Sequence, residues 1–245
     1  MRTVAPLTLV LLTALSACGG EGEAASSDRG DVPESDRQEA PESSDGQESP
    51  LFAPESEAMN ARAPEVYRVV LGTTEGPVTV EVHRDWAPRG ADRFYNLARH
   101  GFFEGARFFR VIEGFVAQFG LSGRPDLDRL WRDHPIPDDS VRRSNVRGTL
   151  TFASAGEDTR TTQLFVNLAD NDRLDGMGFA PIGRVVEGMS VVDSLHAGYG
   201  DGPPRGNGPS QATILERGNE YLEEEFPNLD HVESVEVRPS PEAEG

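Results

Sequence analysis

The sequence predicts a mainly β domain: a closed antiparallel barrel with two or three helices over its ends, behind a disordered N-terminal extension. Three observations carry that expectation. Short apolar runs with period-two alternation recur along the middle of the chain, bounded by turn residues. Helical spacing is confined to a few stretches that do not alternate regularly with the strands, which disfavours a parallel βαβ sheet. Residues 21–64 are rich in Glu, Asp, Ser, Pro, Gly and Ala, with Phe52 the only aromatic residue. Such a segment buries too little apolar surface to offset its ordering entropy.

At the N-terminus, Arg2 gives a short positive start and Ala5 to Leu15 an apolar stretch too short to span a bilayer. Leu15-Ser16-Ala17-Cys18 follows and resembles a bacterial lipobox, whose cysteine is lipidated and becomes the new N-terminus after cleavage. Residues 1–18 are therefore expected to be a lipoprotein signal with Cys18 the lipidation site. An ordinary secretory signal with an incidental cysteine is the alternative. Several acyl chains on one cysteine suffice for stable anchoring. The expected location is extracytoplasmic, on a membrane, on the periplasmic side where the host has an outer membrane. Residues 19–64 then form a disordered acidic tether, extended by its like charges.

Order is expected from Glu65. Val66 to Leu71 reads as a strand, Thr73 to Gly76 as a turn, and Pro77 to His83 as a second strand with Val78, Val80 and Val82 on one face. Asp85 to Pro88 introduces a helix with Pro88 in its first turn, an apolar stripe of Phe94, Leu97 and Ala98, and an end near Gly101. The run Phe108–Gly120 (FFRVIEGFVAQFG) sets one arginine, Arg110, and one glutamine, Gln118, among four phenylalanines. A polar loop is expected from Ser122 to Ser144, then strands at Gly148–Ala153, Gln163–Asn167 and Ile182–Val186 and a short helix around Met189–Leu195. A loop rich in glycine and proline runs from Gly198 to Pro209. Ser210 can cap a helix from Gln211 to about Glu225, with Ile214, Tyr221 and Leu222 inward and Pro227 as its stop. His231 to Val237 reads as the last strand. The domain is thus bounded at 65–238, with a helical insertion at 210–226 and a disordered tail at 239–245.

Charge and composition narrow the chemistry. The formal net charge is −19, but residues 66–215 hold 19 acids against 17 bases, so the acidity belongs to the flanks. That balance argues against nucleic acid as a partner. Every basic residue is arginine, which excludes a phosphate-binding P-loop and any lysine Schiff base or lysine general base. A single cysteine excludes a multi-cysteine metal site. The five histidines stand at no ligand spacing, and Asp170-Asn171-Asp172 with Asp175-Gly176 departs from the calcium-loop pattern. It reads better as a solvated turn. Asp138 and Asp139 are adjacent acids, and chain neighbours normally point apart rather than across one substrate; neither Ser144 nor Ser154 has a nucleophile-elbow context. The costly feature left over is Arg110, because an arginine in an apolar run must be paired to be buried.

The run Phe108–Gly120 closely resembles the signature around the catalytic arginine of the cyclophilins. LTFASAG (Leu150–Gly156), QLFVNL (Gln163–Leu168) and RLDGMGFAPIGRVVEGMSVVDSL (Arg173–Leu195) are similar to that family's later site segments in order and spacing. The resemblance covers about Glu65 to Val237 and implies a peptidyl-prolyl cis-trans isomerase on an eight-stranded barrel. Carried over by position, Arg110 is implied as the catalytic arginine and Gln118 as the residue that orients it. Phe115, Val116, Phe165 and Leu174 fall at the proline pocket, Ala153, Ser154 and Ala155 on the peptide-binding wall, and Gln163 beside it. Phe179 falls where many members carry histidine or tyrosine. Arg173 departs from the tryptophan of many eukaryotic members, which bears on cyclosporin sensitivity. Phe109, Glu113 and Phe119 depart from a histidine, a proline and a glycine, and Ser154 from an asparagine.

The implied chemistry suits those residue types. Rotation about a peptide bond sacrifices amide resonance, ~18–20 kcal/mol. In the twisted state the prolyl nitrogen gains a lone pair, and a guanidinium in a dry pocket can donate to it only then. No nucleophile, metal or cofactor is required. The implied partners are proline-containing segments of folding proteins, bound by a monomer. Two other readings stay open: a chaperone or scaffold module that grips proline segments with incidental turnover, and a structural lipoprotein whose tether is the working part.

Overall fold

The computed structural model describes residues 49–240. The expected signal, the lipidation site Cys18 and residues 19–48 of the expected tether lie outside the described residues, as do residues 241–245. Eight strands form one antiparallel sheet: β1 Val66–Thr73, β2 Gly76–His83, β3 Arg110–Ile112, β4 Val116–Phe119, β5 Thr149–Phe152, β6 Leu164–Asn167, β7 Pro181–Glu187 and β8 Val232–Pro239. Their order across the sheet is β3-β4-β6-β5-β7-β2-β1-β8. The sheet curls until its two edges meet beyond the strand ends. There Arg107 bridges His231, Phe108 N donates to Asp230 O (2.9 Å) and Val232 N to Ala106 O (2.9 Å). Those backbone bonds satisfy edge groups that would otherwise be open to pairing.

Alternation along the strands divides the residues between two environments. Val111 pairs with Ala117, Ala117 with Val166 and Val166 with Leu150, and all four belong to the buried core. Helix α1 (Pro88–Arg99) adds Ala91, Phe94, Leu97 and Ala98 to the same core, as its stripe predicts. The opposite row, Arg110 with Gln118 and Gln118 with Phe165, faces out of the barrel. The arginine therefore sits on the outer face of a strand whose neighbours turn inward.

Several elements differ from expectation. The polar loop at 122–144 contains helix α2 (Pro125–Arg132), whose Leu127 and Trp131 are wholly buried. Its signals are a proline in the first turn and three apolar residues, Leu127, Leu130 and Trp131, a stripe of about one turn, too short to stand out in a polar stretch. Helix α3 (Met189–Ser194) lies where expected. The single helix expected over 211–225 is broken at Gly218 into α4 (Gln211–Arg217) and α5 (Asn219–Glu225), bringing the α-helices to five among the described residues. Ser210 caps α4 by accepting from Thr213 N (3.4 Å).

The expected tether also ends early, because residues 50–63 are ordered against the domain. Pro50–Phe52 and Glu57–Met59 form single helical turns, and Leu51, Met59 and Ala63 join the core. The Trp131 indole N–H donates to Leu51 O (2.9 Å) and Asn96 Nδ2 to Ala61 O (2.7 Å). At the other end, Pro239 still pairs with Tyr67 and Ser240 is buried, so the expected tail starts at least two residues late.

Candidate active site

The hairpin of β3 and β4 builds the centre of the site. Three residues, Glu113 to Phe115, close it, with Gly114 at φ +67° and Phe115 N donating to Ile112 O (2.9 Å). This closure sets Arg110 opposite Gln118, eight positions away in sequence. Arg110 Nη1 donates to Gln118 Oε1 (3.1 Å), and Gln118 Nε2 donates to Gln163 Oε1 (2.9 Å). An amide with one donor and one acceptor end so engaged has its orientation defined by the network.

A cavity of about 530 Å³ opens beside this pair. Its apolar floor is a cluster separate from the barrel core: Val116, Phe165 and Leu174, with Phe115, Ala153 and Phe179 packed against it. The Phe165 and Phe179 rings meet edge-on at 5.8 Å. Phe115 is pinned through its carbonyl, which accepts from Leu168 N and Asn171 Nδ2 (both 2.9 Å). The guanidinium carbons of Arg110 and Arg173 lie 5.6 and 4.8 Å from the centre of the Phe115 ring. Leu174 is delivered by a helical turn at Asp172–Met177.

The acids that superficially suggest a calcium loop brace this part of the site. Asp170 accepts from Arg147 N (2.9 Å), and Asp175 accepts from Asn145 N (2.9 Å) and the Ser144 hydroxyl (2.5 Å). Burial alone would raise the Asp175 carboxyl, but these donors outweigh it and hold the group below its ordinary value.

Of the residues singled out from sequence, Arg110, Gln118, Phe115, Val116, Ala153, Ser154, Phe165, Leu174 and Phe179 line this one cavity. Ala155 and Gln163 line the adjoining groove of about 460 Å³, which shares Gln118, Ala153 and Ser154 with it.

Sequence reasoning missed the far wall. Asp201, Pro203, Pro204 and Arg205, from the loop before α4, complete the cavity, with Gln211 and the exposed Met177 at its edge. Asp201 is the ion-pair partner of Arg110: Nε donates to Oδ1 at 2.8 Å and Nη2 to Oδ2 at 3.3 Å. Those donors hold the Asp201 carboxyl below the ordinary carboxylate range. The only signal in the sequence was an acid inside a loop of glycines and prolines, and no spacing rule ties it to an arginine 91 positions earlier.

Comparison with known proteins agrees with this geometry. The family model for cyclophilin type peptidyl-prolyl cis-trans isomerase/CLD matches residues 68–217. Peptidyl-prolyl cis-trans isomerase A of Dickeya dadantii is 35% identical over 135 residues, covering 52% of this chain and 70% of that protein. Peptidyl-prolyl cis-trans isomerase B of Escherichia coli is 32% identical over 136 residues, covering 52% and 82%. A crystal structure of a Cryptosporidium parvum cyclophilin-type isomerase aligns with a TM-score of 0.52 at 17% identity, covering 72% of this chain and 99% of that one. A second structure of the same protein, in the presence of the dipeptide Ala-Pro, aligns with a TM-score of 0.51 at 18% identity. These structural likenesses speak to the fold, and the sequence matches to the family. An arginine paired with a glutamine over an apolar cavity, on a curled eight-stranded sheet that matches along most of the domain, places the chain in the cyclophilin-type peptidyl-prolyl cis-trans isomerase family.

Proposed function

We propose that this cyclophilin-type isomerase turns X–Pro bonds in proteins folding outside the cytoplasm, with Arg110 as the hydrogen-bond donor to the prolyl nitrogen. The carrying observation is the donor pair, Arg110 held by Gln118, at the rim of a cavity floored by Val116, Phe165 and Leu174. The floor suits a pyrrolidine ring, which is apolar and has no N–H to satisfy. With the ring held, the preceding carbonyl rotates and the nitrogen loses conjugation. Its new lone pair accepts from the guanidinium, an interaction absent from either planar ground state. Arginine suits the role because it stays charged and offers donors in a fixed plane. Ala153 and Ser154, on the cavity wall, would lie along the peptide backbone, and Ala155 and Gln163 beside the residues preceding proline.

The test is an exchange assay on an Ala-Pro peptide with wild type and Arg110→Ala. Loss of one preorganised donor is expected to lower kcat/KM by about 100-fold or more, with the peptide still binding. Equal rates with retained binding would overturn the catalytic reading and leave a proline-binding module.

The location forms part of the same proposal. Arg2, the apolar run Ala5–Leu15 and the Leu15-Ser16-Ala17-Cys18 sequence support export and lipidation at Cys18, so that a monomeric domain works on proline-containing segments at a membrane. Mass spectrometry of the mature protein should find an acylated Cys18 at its N-terminus; an unmodified chain cut elsewhere would refute the anchor.

A further inference from the structure

We propose that Asp201 is a positioning residue for Arg110, carried into the site by the loop over 198–209. The inference rests on the reading of Arg110 as donor. A guanidinium has five N–H groups, in a plane. Asp201 takes one from Nε and one from Nη2 along one edge, and Gln118 takes one from Nη1. One N–H on each of Nη1 and Nη2 remains for a substrate. Gln118 alone is a single contact about which the guanidinium could rotate. A two-pronged carboxylate on a second edge sets both its plane and its tilt.

The loop is built to hold that carboxylate still. Gly208 N donates to Asp201 O (2.9 Å). A Cβ at Gly206 would collide with the same carbonyl oxygen, and one at Gly208 would lie 2.7 Å from the Tyr199 carbonyl oxygen, so the tight closure requires glycine. Tyr199 anchors the loop, meeting Phe226 edge-on at 5.0 Å and His196 at 4.8 Å. It packs against a second apolar cluster that joins α4 and α5 (Ile214, Tyr221, Leu222) to Phe109, the residue next to Arg110. The loop that contacts Arg110 and the insertion behind it are therefore clamped to Phe109, the residue beside that arginine.

The loop restrains without blocking. It contributes the far wall, and about 530 Å³ of cavity stays open. The Arg110 side chain is only 16% exposed, so an unpaired charge there would be costly, and free rotamers would have to be gathered at the transition state.

Asp201→Asn and Asp201→Glu test the idea on the full chain, with three readouts: kcat/KM on an Ala-Pro peptide, the Kd of that peptide, and the NMR signal of the Arg110 Nε–H. Asp201→Asn should lower kcat/KM about tenfold, the worth of one charge-assisted hydrogen bond. Peptide Kd should move by less than about twofold, since the contact is not with substrate. The Nε–H signal, discrete in wild type, should broaden in Asp201→Asn and recover in part in Asp201→Glu. An unchanged or raised rate in Asp201→Asn overturns the proposal, a rise meaning that the loop holds the arginine back. So does a fall in peptide affinity that accounts for the whole rate loss with the Nε–H signal intact, which would make Asp201 loop support only. Arg110→Ala with wild-type activity would instead defeat the reading beneath it, whatever Asp201 does.

Discussion

Arg110 shows how a side chain that looks misplaced in one dimension is accommodated in three. In sequence it lies within an apolar run, and the run implies burial. The strand period sends Val111 and Ala117 into the core while Arg110 and Gln118 face the other way, toward a polar partner and an open cavity. The sequence argument that a buried arginine must be paired holds, since the guanidinium has Asp201 at 2.8 Å and Gln118 at 3.1 Å. The Asp201 end is readable by pH. Because Arg110 holds the folded carboxyl below its reference value of 3.8, the ion pair stabilises the folded chain above that pH. The contribution is lost as pH falls through the lower folded value. Wild type should therefore melt above Asp201→Asn at neutral pH, and the gap should close as the pH falls through the depressed folded value of the carboxyl. A gap independent of pH would mean that the carboxylate charge is not what stabilises the loop.

At the scale of elements, the departures from expectation have local physical causes. Apolar spacing over 211–225 is compatible with one helix, and Ile214, Tyr221 and Leu222 are buried as expected. Nothing in that spacing reports a break. Gly218 takes φ +62°, ψ −142°, and its neighbour Asn219 N donates to Gly123 O (2.9 Å). The approach is so close that a Cβ at Gly218 would collide with the Gly123 carbonyl. Gly218→Ala should cost about 1–3 kcal/mol through strain and that clash. In a domain of this size the melting temperature should drop by several degrees. A variant that melts with wild type would show that the break is dispensable. Helix α2 was hidden for the opposite reason. Leu127 and Trp131 are both 0% exposed, but a stripe of one turn, Leu127, Leu130 and Trp131, carries little periodicity, and what buries it is the rest of the core. Six of the eight strands were legible because alternation needs only local residues: the expected Pro77–His83 and Gly148–Ala153 differ from β2 and β5 by no more than one residue at either end, whereas β3 and β4 lay unassigned within the apolar run Phe108–Gly120.

On the scale of the whole molecule, the segment at 50–63 decides where the folded unit begins. Its composition resembles the acidic stretch before it, and its few apolar residues cannot order a chain unaided. Leu51 and Met59 are nonetheless 2% exposed, because the domain offers them a surface, and Trp131, Asn96 and Asp92 hydrogen-bond the segment's backbone at Leu51, Ala61 and Ala63. A chain starting at Gln47 should melt like the full protein, whereas one starting at Glu65 should lose stability. Leu51→Ala alone is expected to cost about 2–5 kcal/mol, the usual range for emptying a core site. Equal melting of both truncations would show that the segment is a passenger. The sequence by itself determined the mainly β character and, through the resemblance its motifs carry, the family and the residues to look for: Arg110, Gln118 and the apolar set Phe115, Val116, Phe165 and Leu174. Those rest on local period or on short motifs, each of which can be read without knowing what lies across the fold. Tertiary structure alone decided that Asp201 faces Arg110, that the insertion breaks at Gly218, and that residues 50–63 belong to the domain. Those depend on surfaces brought together across 91 residues for Asp201 and 80 for Leu51 with Trp131, and a linear pattern carries no record of such contacts.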